Sequence, residues 1–314
     1  MSSPSTVQSA FRAHLSRAGL WCVLVGLGLR LAWFFSVREE SFFYAHIQDA
    51  ALYHELAIAI MADGLPLAEP FSVAPLYGLF LAAIYTLFGP DPTFVYLVQI
   101  GLSMGTILLT VDLGRRLFGR VGAWSGGLVM ALYPVAILYD VRLLSVTLGT
   151  FLTVGAVWMG HRAWQNGRGR AWLLAGAALG LAALVRGNLL LVAPGLVAAA
   201  FWRGRLTHAV VCMLGFGLAI APATVHNHAA AGEVVPISLG GGINLYRGNN
   251  AHVVDRAVHP FRLPPQRDGL LKKAQLIASI ETDTPLTAVE SDRYWGLRAV
   301  LYWIDSPARA VGLT

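Results

Sequence analysis

Residues 93–114 read TFVYLVQIGLSMGTILLTVDLG, and this stretch decides the fold. Its 22 residues carry a single charge, Asp112, near the far end. About 20 apolar residues wound as a helix cross the hydrocarbon core of a bilayer. Arg115, Arg116 and Arg120 follow at once, the kind of basic cluster that stays on the cytoplasmic side. Working outward, apolar runs of similar character recur at about 18–37, 121–139, 143–161, 171–185, 188–202 and 207–225. The whole chain agrees: of 314 residues 56% are hydrophobic and 13% charged, where a soluble domain would have about a quarter charged. The expected fold class is all-α, a polytopic transmembrane helix bundle. The net charge of +6 sits in short clusters beside the apolar runs, which points to membrane orientation and not to nucleic acid. Cys22 and Cys212 both fall within spans, so no disulfide framework is available.

The basic clusters are Arg115, Arg116 and Arg120; Arg162, Arg168 and Arg170; and Arg203 and Arg205. Placing all three inside leaves room for seven spans only if 75–88 does not cross. That run is short and opens with Pro75, which suits a re-entrant or juxtamembrane helix. Three regions follow: a cytoplasmic N-terminus at 1–17, with Arg12 and His14; a transmembrane module at 18–225 that includes a first outer loop at 38–92; and a second outer-face segment at 226–314. The chain stops soon after "RYWGLRAVLYWID", an amphipathic helical pattern, without a polar tail, and this reads as a truncated end.

The first outer loop contains "FFYAHIQDAALYHELAIAIMADGLP", a polar and acidic helical pattern between greasy neighbours. At 100° per residue Asp49, Tyr53, Leu56 and Ile60 share one face. Asp49 is a candidate helix N-cap and a candidate general base, and the two roles are compatible. Asp140 and Arg142, in "LYDVRLLSVTL", read as an acid–base pair at the outer end of a span. Arg186 interrupts the apolar hairpin 171–202, where a guanidinium suits either interface anchoring or a phosphate. In "SLGGGINLYRGNN", Gly240 to Gly242 predict tight turns, and Asn244, Tyr246, Asn249 and Asn250 are candidates for sugar recognition. His226 and His228 form one H-x-H, a weak metal signal; no cofactor is assigned, and a divalent metal stays open.

Five of these stretches, in order, resemble the GT-C membrane glycosyltransferases, in particular the dolichyl-phosphate-mannose–protein mannosyltransferase-like group that also contains the lipid A aminoarabinose transferases. "QDAALYHELAIAIMADG" resembles the family's first outer loop and "APLYGLFLAAIYTLFG" its juxtamembrane helix. "LGRRLFGRVGAW" is similar to its inner turn and "LGLAALVRGNLLLVAPGLV" to its Arg-broken hairpin. "IAPATVHNHAAAGEVVPISLGGGINLYRGNN" resembles the start of its second outer loop. The resemblance implies an inverting glycosyltransferase that moves a sugar from a polyprenyl-phosphate donor to a protein, lipid or glycan acceptor on the outer face. It implies that Asp49 is catalytic and that Tyr53, Asp140, Arg142 and Arg186 support it or hold the donor phosphate. It also suggests a bacterial cytoplasmic membrane. Two positions depart from the pattern: Val146 stands where many members have an acidic residue, and His226 where many have Arg.

Two other classes fit the composition. A transporter or lipid flippase would place polar groups at mid-membrane on broken helices in related halves, whereas the acidic residues here gather at outer ends and no repeat is evident. A noncatalytic or truncated homologue would share the fold and lose Val146's acidic counterpart.

Overall fold

The computed structural model describes residues 17–44, 46–64, 69–204, 206–250 and 267–308. Arg12, His14 and Arg205 lie outside the described residues. Among those described there are helices and no strands. Three helices are long and apolar enough to cross a membrane: α1 (Arg17–Val37), α5 (Pro92–Leu132) and α10 (Leu206–Ala231). Between them in the chain come α2 (Ser41–Tyr44), α3 (Asp49–Asp63) and α4 (Pro75–Phe88), then α6 (Pro134–Asp140), α7 (Val146–Asn166), α8 (Gly169–Val185), a 3₁₀ turn (Gly187–Val192) and α9 (Ala193–Gly204). The later helices are α11 (Gly241–Gly248), α12 (Arg267–Glu281) and α13 (Ala288–Asp305). Two compact units result: Met1–Met61 with Leu76–Ala219, and Ala62–Pro75 with Ile220–Thr314.

Residues 93–114 fold as half of a hairpin. The 41 residues of α5 are broken at Gly119, whose φ of 67° and ψ of −150° lie in a region open essentially to glycine alone. The chain reverses there. Gly114 and Gly122 meet backbone to backbone, since a Cβ on Gly114 would sit 2.3 Å from the Gly122 carbonyl oxygen. Val111 meets Gly127 in the same register. With no hydrophobic drive between helices in lipid, such small residues bring backbones into van der Waals contact. The turn carries Arg115, Arg116 and Arg120. Asp112 holds it, bonded to Arg115 at 2.8 Å, Arg116 at 2.6 Å and the Trp158 indole at 2.8 Å.

α4 has 14 residues, too few to cross, and buries Tyr77, Leu81, Ala82, Ile84 and Tyr85. α8 ends at Val185 because Arg186 turns extended (φ −141°, ψ 102°), and the chain resumes as a 3₁₀ turn and α9. In the second unit Asn227, fully buried, is the hub. Its side chain accepts from the Phe71 N–H at 2.8 Å and donates to the Val235 and Ile237 carbonyls at 3.0 and 2.9 Å.

Candidate functional site

In the first unit a buried polar relay runs from the loop helix α3 into the bundle. Tyr53 packs edge-on against Tyr77 at 4.8 Å. The Tyr77 hydroxyl donates to Gln99 Oε1 at 2.8 Å, and Gln99 Nε2 donates to the carbonyl oxygens of Asp140 (3.0 Å) and Arg142 (2.9 Å). Both side-chain ends of Gln99 are therefore used, which fixes the 140–142 turn relative to α4 and α5. A second tie holds α2: Tyr96 donates to the Phe43 carbonyl at 2.9 Å, and Arg142 donates to that of Phe42 at 3.3 Å while its guanidinium covers the Phe42 ring at 4.6 Å. A third holds α3: His54 Nδ1 and the Tyr85 hydroxyl share a 3.0 Å hydrogen bond, and Leu56 fills the space over Gly78. The acidic loop is thus docked at Phe42, Phe43, His54 and Leu56.

Asp49 lies in the first turn of α3, where the positive end of the helix dipole favours a carboxylate. It is exposed, and among the described residues its side chain has no hydrogen-bond partner. Two expectations change. Asp49 does not cap α3: the Ala51 and Leu52 N–H groups run to the Gln48 carbonyl at 3.1 and 3.3 Å. The buried stripe of α3 is Ala50, Tyr53 and Ala57, so Asp49 stands at its edge and not on it.

Adjacent in sequence, Asp140 and Arg142 read as a pair, but in the fold they part. Asp140 is 1% exposed and takes Arg30 Nε at 2.6 Å, the Ser103 hydroxyl at 2.7 Å and the Thr147 hydroxyl at 2.8 Å. A carboxylate enclosed this way is a strut and is closed to a substrate phosphate. Arg30 does more than neutralise it, donating also to the carbonyls of Gly26, Ala131 and Met130 at 3.2, 3.0 and 3.4 Å. The Met130 carbonyl would ordinarily pair with the N–H of residue 134, which is proline and has none. Arg30, Gln99 and Ser103 were missed from the sequence. The available signal was an arginine in the middle of an apolar run, which in a membrane demands a partner.

Arg142 is half-buried and Arg186 exposed. The stem of Arg186 lies on Gly149, where a Cβ would come 3.2 Å from its Cδ, two residues from the Thr147 that bonds Asp140. Arg186 therefore lies against the first turns of α7, while the side chain of Arg142 lies on Phe42.

The glycine-rich segment is a helix and not an open loop. Only Gly240, its N-cap, has positive φ (91°). Asp292 Oδ1 accepts from the N–H groups of Gly242 and Ile243 at 2.9 and 3.1 Å. Tyr246 is buried against Trp295 at 4.7 Å. Asn250, 2% exposed, donates to the Tyr246 carbonyl, and Asn249 joins the Leu245 carbonyl to the Trp303 indole. These three side chains are used within the fold; Asn244 is exposed. His226 stacks on Phe71 at 4.2 Å, and its Nε2 lies 3.3 Å from the Glu69 carbonyl oxygen. Among the described residues no three His, Cys, Asp or Glu side chains converge as a metal site would require.

His46 and His54 flank Asp49 in the chain, their rings 4.3 Å apart. Burial holds both imidazoles below their usual range. For His46 the proximity of His54 adds to this, and for His54 the Glu55 carboxylate opposes it.

No curated protein sequence matches the chain. Residues 72–227, which include Gln99, Asp140, Arg142 and Arg186 and leave out Arg30, Asp49 and α11, match the family model described as dolichyl-phosphate-mannose-protein mannosyltransferase, so over that stretch the chain is similar to a family of membrane glycosyltransferases.

Proposed function

We propose that the protein is an inverting glycosyltransferase of seven spans whose donor is a polyprenyl-phosphate sugar and whose site faces outward. The observation that carries this reading is the relay Tyr53–Tyr77–Gln99, which ties the helix bearing Asp49 to the turn bearing Arg142. The family match over residues 72–227 supports the same chemistry.

In this mechanism the acceptor hydroxyl gives its proton to the Asp49 carboxylate as its oxygen attacks the anomeric carbon. The bond from that carbon to the phosphate oxygen breaks, and polyprenyl phosphate leaves as a stable anion that needs no acid. A guanidinium carries five N–H donors. The Phe42 carbonyl takes one of Arg142's, and Arg186 presents its head to solvent. Both supply positive charge where the leaving phosphate gains negative charge, the electrostatic contribution that commonly dominates such steps. Asp140 acts here only by holding Arg30 and the turn. The basic loops argue for the orientation, and a donor with its tail in the bilayer meets an outward site without crossing the membrane.

The test is transfer in proteoliposomes. Asp49→Asn should insert at normal level and lose transfer from the polyprenyl-phosphate sugar. Full activity in that variant, or robust transfer from the matching nucleotide sugar without lipid carrier, would overturn the assignment.

A further inference from the structure

α13 has two unlike faces. One packs inward through Ser291, Trp295 and Ala299. On the other, Leu297, Val300, Leu301 and Ile304 fall within an arc of about 100°, as broad as a stripe that faces a core. Here the stripe faces out, and the four side chains are between 48% and 68% exposed. The same face is charged in the first turns of the helix, at Glu290 and Arg293, and becomes apolar from Leu297 onward.

The stripe does not stand alone. Leu297 and Val300 form one shallow groove of about 440 Å³ with Leu245 of α11 and with Val234 and Pro236 of the turn that follows α10. Val234 is 69% exposed. That turn is folded back onto the last turns of α10 by the Thr224 hydroxyl, which donates to the Pro236 carbonyl at 2.8 Å, and by Asn227. α10 is itself long and apolar enough to span a membrane. The apolar patch therefore begins where a span ends. Near its far end Trp303 keeps its indole N–H on Asn249 at 2.7 Å while its ring is partly exposed, the amphipathic habit of interfacial tryptophan.

We infer that the face made by Val234, Leu245, Leu297, Val300, Leu301 and Ile304 is a docking surface for the lipid bilayer, with the C-terminal half of α13 seated at the boundary of headgroups and acyl chains. An exposed apolar patch of this extent on a soluble surface would invite association. Continuous with a span, it meets hydrocarbon instead, as interfacial amphipathic helices do. This inference stands apart from the donor and acceptor chemistry proposed above.

The experiment uses the full chain in lipid nanodiscs, with Cys22 and Cys212 replaced by alanine. Single nitroxide labels are placed at Leu297, Leu301, Ile304 and Arg293. Collision with oxygen, which concentrates in the bilayer, is compared with collision with a water-soluble nickel chelate. The expected oxygen-to-nickel ratio is several-fold higher at positions 297, 301 and 304 than at 293, and highest at 304. Circular dichroism of each labelled chain checks that the helices persist. Free nickel access at 301 and 304 would place this face in water. Exclusion of both reagents would mean that protein, such as a second copy of the chain, covers it. Either result would overturn the proposal.

Discussion

Arg30→Met removes the cation from a fully enclosed carboxylate, and the structure fixes what must follow. Asp140 would keep the Ser103 and Thr147 hydroxyls but lose Arg30, its one charged partner among the described residues, while the Met130 and Ala131 carbonyls lose their side-chain donor. Removing one partner of a buried pair costs about 3–5 kcal/mol in soluble proteins. Protonation sets an independent ceiling. Neutralising a carboxyl with an ordinary pKa of about 3.9 at pH 7, at about 1.4 kcal/mol per unit, costs about 4 kcal/mol. The two routes agree, and for a chain of this size about 4 kcal/mol corresponds to a melting shift of roughly 6 °C. The ceiling also makes the loss depend on pH. At pH 5 the same neutralisation costs about 1.5 kcal/mol, so the variant should recover more than half of its deficit relative to the parent. Arg30→Met/Asp140→Leu, which leaves no orphaned charge, should lie well above the sum of the two single changes. Unfolding in detergent can be followed through the two buried thiols, Cys22 and Cys212, which react with a fluorogenic maleimide only as the fold opens. A parental melting point for Arg30→Met, or a deficit equal at both pH values, would refute the view that this ion pair is what locks α1 to the 140–147 turn.

Gly242→Ala places a Cβ 1.8 Å from the Asp292 carbonyl oxygen, so α11 must separate from α13; hydrogen exchange across 241–248 and 291–299 should rise sharply, and unchanged protection would show that the contact is not needed. Gly119→Ala forces a side chain into a conformation that costs on the order of 1–3 kcal/mol; a small, pH-independent loss of melting temperature is expected, and none at all would mean that the reversal relaxes freely. The His46–His54 contact should weaken in acid: both imidazoles are held below their usual range, so in the interval under pH 6.5 the unfolded loop binds more protons than the folded one, and docking of α3 becomes less favourable as pH falls. Proteolysis within 46–61 should speed up between pH 7.5 and 5, and less steeply in His46→Phe, which keeps only the share of buried His54; a rate independent of pH in the parent would sink this account.

Apolar runs and their breakers were enough to find most helices of the first unit, though neither α2 nor the break at Tyr133 and Pro134 that separates α6 from α5. The turn at 115–120, the short helix opened by Pro75 and the interruption at Arg186 each come from local pattern and appear in the fold. Pairing across the chain did not come from pattern. Asp140 looked like the partner of Arg142 because they are two residues apart, yet its partner is Arg30, separated from it by 110 positions. Periodicity reports which face of a helix is apolar; it carries no information about which distant polar group will share that face. The glycine run misled for a related reason. Gly241 and Gly242 signalled turns by composition, but a neighbouring helix needed the missing side chain of Gly242, and that neighbour lies some 50 residues later. Asp49, the residue most easily singled out, is also the one whose surroundings the fold leaves most open.

The same 110-residue separation has a consequence for biogenesis. Arg30 emerges from the ribosome long before Asp140, Ser103 or Ala131 exists. At a synthesis rate of about 5–20 residues per second, the interval is roughly 5–20 s. Throughout it, α1 must sit in the insertion machinery or in lipid with an arginine near the middle of its apolar run. Such a residue is tolerated by snorkelling or in a water-filled vestibule, and it is expensive in open hydrocarbon. The α5 hairpin closes on contacts a few residues apart and can insert as a unit. Capture of α1 by that hairpin and by the 140–147 turn is then the late, committing event, and a nascent chain stalled before residue 140 should present α1 as an orphan for quality control.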